Sequence, residues 1–229
     1  MKVLVVDCNI DPNCWGAQDL VRLAHLGKSA TVYVRRAPQN DLPSSADGFD
    51  RIIVSGSNTP AMDTAPWIER LLDLIRESVR SQIPFLGVCY GHQMLARALT
   101  GDQVVRKAAV PEFGWVEIEL LESAQILTGL PTRFYSFEAH YDEVGFVPQD
   151  FRVLARSRDC QVQALQFKDL PVFGIQFHPE KTLEAAEKVL SEKEKSKSTP
   201  GIFNRHEGQR VFRETIAESI FNNFLNRGV

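Results

Sequence analysis

The sequence predicts an α/β fold with a mostly parallel, doubly wound central sheet, flanked by helices and extended by a small antiparallel β addition. Strand-like and helical segments alternate over the first hundred residues, and short β-like runs follow closely from residue 101 to 177. A cysteine between two glycines also stands at a strand-to-helix junction. A βαβα order implies parallel strands, whose ligands bind beyond the carboxyl ends of the strands.

The parallel part consists of short apolar runs that alternate with segments carrying apolar residues at helical spacing. The expected strands are residues 2–6, 30–35, 51–54 and 85–88, and the expected helices are residues 15–26, 66–80 and 91–99. Asp7, residues 55–57 and Cys89 would then emerge together at the carboxyl edge of the sheet.

The antiparallel addition is expected from closely spaced β-like runs at residues 115–120, 133–137, 152–157 and 161–167. The apolar run 172–177 then returns to the sheet. We expect a single domain over residues 1–229.

The last fifty residues divide into two parts. Residues 181–206 are rich in Glu and Lys and predict an exposed helix running into a flexible loop, whereas residues 207–227 predict a final helix. One stripe of that helix carries Phe212, Ile216, Ile220 and Phe224. Packing on the sheet is the favoured interpretation of this stripe, and binding of a synthetase or a second copy is the alternative.

Cys89 has the sequence context of a nucleophile. It follows an apolar strand and precedes a helix, and Gly87 and Gly91 flank it at the spacing of a nucleophile elbow. The helix N-terminus places partial positive charge and free N–H groups beside the sulfur. The structural alternative is a small buried hydrophobic residue.

His178 and Glu180 supply the other two members of a triad. They follow the apolar run 172–177, and alternate residues of an extended backbone point the same way. His178 would be the base and Glu180 would fix its tautomer. Alone, each could be structural; together with Cys89, they predict a catalytic site.

These motifs resemble the class I, triad-type glutamine amidotransferases, whose pattern is G-x-C-x-G-x-Q followed much later by F-H-P-E. The similarity runs from Val3 to about Glu180 and is greatest to GMP-synthase-like glutaminases, whose core is flavodoxin-like. It implies that Cys89 attacks the glutamine side-chain amide, that ammonia leaves, and that water resolves a γ-glutamyl thioester.

The resemblance also implies further site residues. The oxyanion hole would come from the backbone at Tyr90 and at Gly56 or Ser57, and substrate contacts would come from Gln93, Ala139 and His140. The chain departs from the family pattern at Ser57, where relatives carry a Gly-Gly-Pro loop, and at Ala139, where relatives often carry serine. For Glu138 we expect a solvated surface position.

Composition limits the partners. The 229 residues carry 26 basic and 29 acidic side chains, a net charge of −3, without a basic stripe, so neither nucleic acid nor a membrane is an expected partner. No long apolar segment is present, and a cytoplasmic location is expected. The four cysteines lack a C-x-x-C spacing, and neither a metal nor a cofactor is predicted, although Cys8 and Cys14 could form a redox pair.

Three functions follow from the sequence. The first is a glutaminase acting on L-glutamine for a partner synthetase, because the chain has no ATP-binding P-loop. The second is a stand-alone γ-glutamyl hydrolase or peptidase, acting on another γ-glutamyl compound with the same triad. The third is a non-catalytic regulatory subunit. A homo-oligomer is a further candidate assembly.

Overall fold

The structure, a computed structural model, describes residues 1–11, 16–195 and 203–226. Its strands are β1 (Lys2–Asp7), β2 (Thr31–Arg36), β3 (Arg51–Val54), β4 (Phe85–Val88), β5 (Val105–Leu120), β6 (Arg133–Val144), β7 (Phe151–Arg156), β8 (Ala164–Phe167) and β9 (Val172–Ile175). Its helices are α1 (Gln18–Ala24), α2 (Pro66–Arg80), α3 (Tyr90–Thr100), α4 (Leu183–Glu194), α5 (Gly208–Val211) and α6 (Glu214–Asn226). No helix within these ranges is long and apolar enough to span a lipid bilayer.

The strands form one sheet in the order β2-β1-β3-β4-β9-β8-β7-β5-β6. The first five strands in this order pair in parallel, and the pairs from β9 to β6 are antiparallel. The predicted parallel α/β sheet with an antiparallel addition is therefore confirmed. The pairing of β4 with β9 places side by side the two strands that lead to Cys89 and His178.

Alternating apolar side chains bury both faces of the parallel strands. In β1, Val3 and Val5 belong to one apolar cluster together with residues of α1 and α6, whereas Leu4 and Val6 belong to another with residues of α2 and α3. Because successive side chains of a strand point to opposite faces, a continuous apolar run is what a sheet between two helical layers requires. Of the helix predicted at residues 15–26, Gln18–Ala24 form α1, residues 16, 17, 25 and 26 form turns, and residue 15 lies outside the described ranges.

The antiparallel part is larger than the sequence predicts. β5 and β6 have 16 and 12 residues, and the prediction covered only the second half of β5 and the first half of β6. The missed halves carry charged residues that form ion pairs across the hairpin, Arg106 to Glu143 at 2.8 Å and Lys107 to Asp142 at 2.7 Å. A register shift between Lys107 and Glu112 marks an irregularity in this pairing.

The charged segment after Glu180 forms a helix, α4, which packs on β5 and β6. Ala186 and Leu190 of α4 are buried in an apolar cluster with Phe113, Trp115 and Phe137. The flexible loop predicted in the second half of the segment falls largely on residues 196–202, which lie outside the described residues.

The sequence predicts a single C-terminal helix at residues 207–227, whereas the structure has two helices there, α5 and α6. The backbone is extended at Phe212, whose ring lies edge-on against Trp115 with centroids 5.8 Å apart. Phe212 therefore leaves the predicted stripe. Ile216, Ile220 and Phe224 remain on it and are buried with the sheet residues, which confirms the favoured interpretation.

Candidate active site

Cys89 lies at the turn from β4 to α3 in a strained conformation. Its φ of 52° and ψ of −103° are rare for a residue with a side chain. A Cβ atom on Gly87 would lie 2.3 Å from the carbonyl oxygen of Gly91, and one on Gly91 would lie 2.4 Å from that of Val54. Only glycine fits these two positions, so the predicted elbow geometry is confirmed.

His178 and Glu180 reach the same place from the neighbouring strand. The Cys89 N–H donates to the Ile175 carbonyl at the end of β9 (2.8 Å), and the His178 N–H donates to the Phe137 carbonyl of β6 (2.8 Å). Nδ1 of His178 lies 2.6 Å from Oε1 of Glu180. The structure thus brings together the three predicted triad residues, all of them buried.

The charges of the triad support one another. Because a carboxylate only accepts hydrogen bonds, Nδ1 of His178 carries a proton, and Nε2 is left for Cys89. Burial by itself would lower the pKa of His178, but the charges of Glu180 and Cys89, with their hydrogen bonds, raise it well above its usual value. Burial by itself would raise the pKa of Glu180, but the positive charge of His178 outweighs burial and lowers this pKa.

The backbone of Gly56 lies directly against the nucleophile and its base. A Cβ atom on Gly56 would lie 2.9 Å from Cε1 of His178 and 3.6 Å from Cβ of Cys89. Tyr90 is the first residue of α3, so its N–H has no acceptor within the helix. Both residues border Cys89, and they stay the predicted oxyanion donors.

Ser57 fixes the loop that carries Gly56. Its hydroxyl donates to the carbonyl of Cys8 at 2.7 Å and accepts from the N–H of Thr59 at 3.0 Å. Ser57 therefore ties the loop after β3 to the loop after β1. Its side chain is engaged there, so any oxyanion contact would come from its backbone.

The predicted substrate-binding side chains lie within a hydrogen-bonded part of the interior. Nε2 of Gln93 donates to the carbonyl of Asp142 (2.7 Å) and to Oε1 of Gln176 (3.0 Å). Nδ1 of His140 lies 3.1 Å from the same carbonyl. Ala139 packs with the apolar cluster beneath α4. These contacts hold β6 in place, and contact with a substrate stays a prediction.

The prediction of a solvated Glu138 is wrong. Glu138 is 0% exposed, because strand alternation places it on the same inward face of β6 as His140. Neither of its carboxylate oxygens has a hydrogen-bond partner among the described residues. Burial, and then the charge of Glu112, raise the pKa of Glu138. The missed signal is its position, two residues before a histidine that is itself buried.

A separate cleft of about 570 Å³ opens at the antiparallel end of the sheet. Glu117, Arg133, Arg156 and Phe203 contribute to its walls, and it borders Glu112. None of the triad residues lines it. The cleft is therefore distinct from the site at the elbow.

The chain matches one protein family and several sequences of named proteins. The family model described as glutamine amidotransferase class-I matches residues 18–196. A glutamine-hydrolyzing GMP synthase subunit of Pyrococcus abyssi is 35% identical over 158 residues, which cover 69% of this chain and 79% of that protein. The protein of the same name from Sulfurisphaera tokodaii is 37% identical over the same shares of both chains.

Solved structures share the fold. A putative GMP synthase subunit from Thermoplasma acidophilum superposes with a TM-score of 0.69 at 26% identity, over 98% of this chain and 92% of that one. A glutamine amidotransferase from Thermotoga maritima superposes with a TM-score of 0.77 at 20% identity, over 99% of both chains.

Proposed function

Because the chain belongs to the class I glutamine amidotransferase family, we propose that it hydrolyses the side-chain amide of L-glutamine and releases ammonia for a separate synthetase. The observation that carries this proposal is the contact of three elements at one point. These are the strained Cys89 elbow, the His178–Glu180 pair, and the backbone of Gly56.

The chemistry assigned to the triad proceeds in two halves. His178 holds the proton given up by the Cys89 thiol, the thiolate sulfur attacks the amide carbon, and His178 then gives that proton to the leaving ammonia. A γ-glutamyl thioester remains. In the second half, His178 takes a proton from water, the resulting hydroxide adds to the thioester carbon, and glutamate leaves as the thiol is restored. Glu180 stabilises the imidazolium in both halves.

Negative charge develops on the amide oxygen in both halves. The Gly56 and Tyr90 amides, with the Ser57 amide as the third candidate, are the proposed donors to that oxygen, and one such donor typically contributes about 3 kcal/mol to transition-state stabilisation. Gln93, Ala139 and His140 are proposed to shape the pocket for the amino-acid end of the substrate.

The names of the relatives support a partner. Each of these GMP synthase relatives is by its name one subunit of an assembly, and we propose that a separate synthetase chain is the partner that uses the ammonia. The described parts of residues 1–229 are proposed to form one domain, since one sheet contains every strand. A reduced Cys89 nucleophile suits a reducing compartment such as the cytoplasm.

The proposal is tested by ammonia release from L-glutamine by the purified chain, with Cys89→Ala as control. Turnover that depends on Cys89 is the expected result, and turnover retained in Cys89→Ala would contradict the proposed nucleophile. A panel of γ-glutamyl amides is run in parallel. Turnover restricted to those compounds would favour the γ-glutamyl hydrolase, and failure of a glutamine-like chloroketone to alkylate Cys89 would favour a non-catalytic role.

A further inference from the structure

Three buried side chains with metal-binding atoms meet in the antiparallel half of the molecule, and a fourth, Glu138, borders them. Glu112 lies opposite His140 in the β5–β6 pairing, Glu138 is two residues from His140 on the same face, and Cys160 follows β7. All four are at most 3% exposed. The candidate ligand atoms of Glu112, His140 and Cys160 lie within 4.8 Å of one another.

Glu138 points into this cluster. Its Oε2 is 3.5 Å from Nε2 of His140, the same nitrogen that lies 3.1 Å from Oε2 of Glu112. Neither oxygen of Glu138 has a hydrogen-bond partner among the described residues. A fully buried carboxylate in this condition is costly. The described side chains favour it only through the charge of His178 and a contact from Gln163, which leaves room for a further cationic partner.

The hydrogen bonds of His140 leave the facing nitrogen open. Nδ1 lies 3.1 Å from the carbonyl oxygen of Asp142, which can only accept, so Nδ1 carries a proton. In neutral His140, the lone pair of Nε2 then faces the carboxylate oxygens of Glu112 and Glu138. These lone pairs repel unless a positive charge lies between them.

Two basic side chains of the β5–β6 hairpin are paired with other acids. Lys107 pairs with Asp142, and Arg106 pairs with Glu143. Within the described ranges, neither Glu112 nor Glu138 has an ion pair with lysine or arginine. Two buried carboxylates therefore converge without a lysine or arginine, and among the described residues the positive charge of His178 alone acts on Glu138 from outside the cluster. The remaining positive charge is supplied either by protons or by a bound cation.

We propose that Glu112, Glu138, His140 and Cys160 bind a transition-metal ion, with Zn²⁺ as the best fit. Zn²⁺ takes nitrogen, oxygen and thiolate ligands and is usually four-coordinate in closed, buried sites. The sequence did not predict this site because its ligands come from three separated segments, with no short Cys or His spacing.

The surroundings of the cluster are those of a metal site. The other nitrogen of a metal-binding histidine usually donates to a carbonyl or carboxylate, as Nδ1 of His140 does. Ser157 and Gln163 donate to the two oxygens of Glu112 at 2.6 Å and 2.7 Å, and the N–H of Cys160 donates to Ser157 at 2.9 Å. The side chains of Glu112 and His140 are thus fixed in orientation.

The ion has a structural role in this arrangement. It ties the turn at Cys160 to the β5–β6 hairpin, whose Phe137 carbonyl accepts the His178 N–H. It would thereby stabilise the strand that positions the proposed base. This inference does not depend on the proposed function.

The test uses Cys89→Ala, so that the proposed nucleophile cannot bind metal. The protein is equilibrated with Zn²⁺ or Co²⁺ and dialysed, and bound metal and the thiolate-to-Co²⁺ charge-transfer absorption are measured. We expect about one ion per chain with that absorption. Cys160→Ser should abolish the absorption, and Glu138→Gln should weaken binding by at least about tenfold. Cys8→Ser, which removes a buried thiol outside the cluster, should retain both signals.

Thermal unfolding provides a second readout. Because Gln is the neutral isostere of Glu, Glu138→Gln should raise the unfolding midpoint in EDTA, where it removes a buried carboxylate, and lower it relative to the parent in Zn²⁺. The proposal would be overturned if the parent Cys89→Ala protein showed no charge-transfer absorption, or if the absorption survived in Cys160→Ser. A Glu138→Gln effect of the same sign in EDTA and in Zn²⁺ would also overturn it, and protons would then balance the cluster.

Discussion

Glu180 sets the protonation of the proposed base through a short contact. Its carboxylate lies 2.6 Å from Nδ1 of His178, and both side chains are buried, so water screens their attraction weakly. Cys89 adds a second negative influence on the same imidazole. Replacing Cys89 by alanine therefore isolates the effect of Glu180.

In Cys89→Ala, the further change Glu180→Gln should lower the pKa of His178, because it removes the negative charge that stabilises the imidazolium. NMR titration of the imidazole in both variants measures this shift, and identical titration midpoints would contradict it.

In the protein with Cys89 intact, Glu180→Gln should reduce kcat by about 10⁴-fold, as expected for loss of a triad carboxylate.

The raised pKa of His178 also predicts how stability depends on pH. A group whose pKa is higher in the folded than in the unfolded protein adds stability below its unfolded pKa of about 6.5, and this stability is lost as the pH rises through the folded value. His178→Gln should therefore destabilise the protein more at pH 6 than above the folded pKa. Urea unfolding of both proteins across that range measures the difference, and a pH-independent difference would contradict it.

Gly56 is the position where one methyl group should affect activity without affecting the core. In Gly56→Ala, the new Cβ would lie 2.9 Å from Cε1 of His178, so the imidazole must move away from its place beside Cys89. We expect kcat to fall at least about tenfold, since small displacements of reacting groups cost about 100-fold. Gly27→Ala is the control, because its added methyl meets chiefly the flexible end of Met1. Equal activity of the two variants would contradict this expectation.

At the scale of residues, the sequence predicted the triad but not the buried acids. Cys89, His178 and Glu180 stand in two short motifs whose local geometry follows from neighbouring residues. Glu138 looked solvated because a carboxylate usually is. Its burial depends on Glu112 and His140, which reach it only through the pairing of β5 with β6. The spacing in the sequence places Glu138 on the same face of the strand as His140, but only the strand pairing shows that this face is buried.

At the scale of elements, the parallel strands were predicted well and the β5–β6 hairpin was not. Strands buried on both faces are apolar runs, which periodicity detects. The extra half of the hairpin is held by cross-strand ion pairs and carries charged residues, so its sequence looks like a loop. Phe203 adds a further contact, because its N–H and carbonyl bond to Phe113 and Trp115 of β5 at 2.7 Å and 3.0 Å.

Gly114 should be essential for that contact. It has φ of 111°, and a Cβ there would lie 2.1 Å from the carbonyl oxygen of Phe203. Gly114→Ala should therefore destabilise the protein by roughly 2–4 kcal/mol, from strain and displacement of Phe203. Gly129→Ala is the matched control, since its φ of 84° carries the strain but no atom lies within 4 Å. Urea unfolding midpoints compare them, and equal losses would show that only strain matters.

At the scale of the whole molecule, two cysteines report on the two halves of the sheet. Cys8 follows β1 in the parallel half, and Cys160 follows β7 in the antiparallel half; both are 0% exposed. Burial raises the pKa of each thiol, so neither should react with an alkylating reagent until its surroundings unfold. Their reactivities therefore measure the opening of each half separately.

In Cys89→Ala with EDTA present, alkylation of Cys8 and Cys160 should begin at the same urea concentration. A single nine-stranded sheet joins the halves, and β4 and β9 pair in its interior, so opening either half exposes apolar surface of the other. Peptide mass spectrometry after pulsed labelling measures each site and separates them from Cys14. Coincident midpoints would support one cooperative domain. Earlier reaction at Cys160 would mean that the antiparallel half, including the strand that anchors His178, opens before the parallel half.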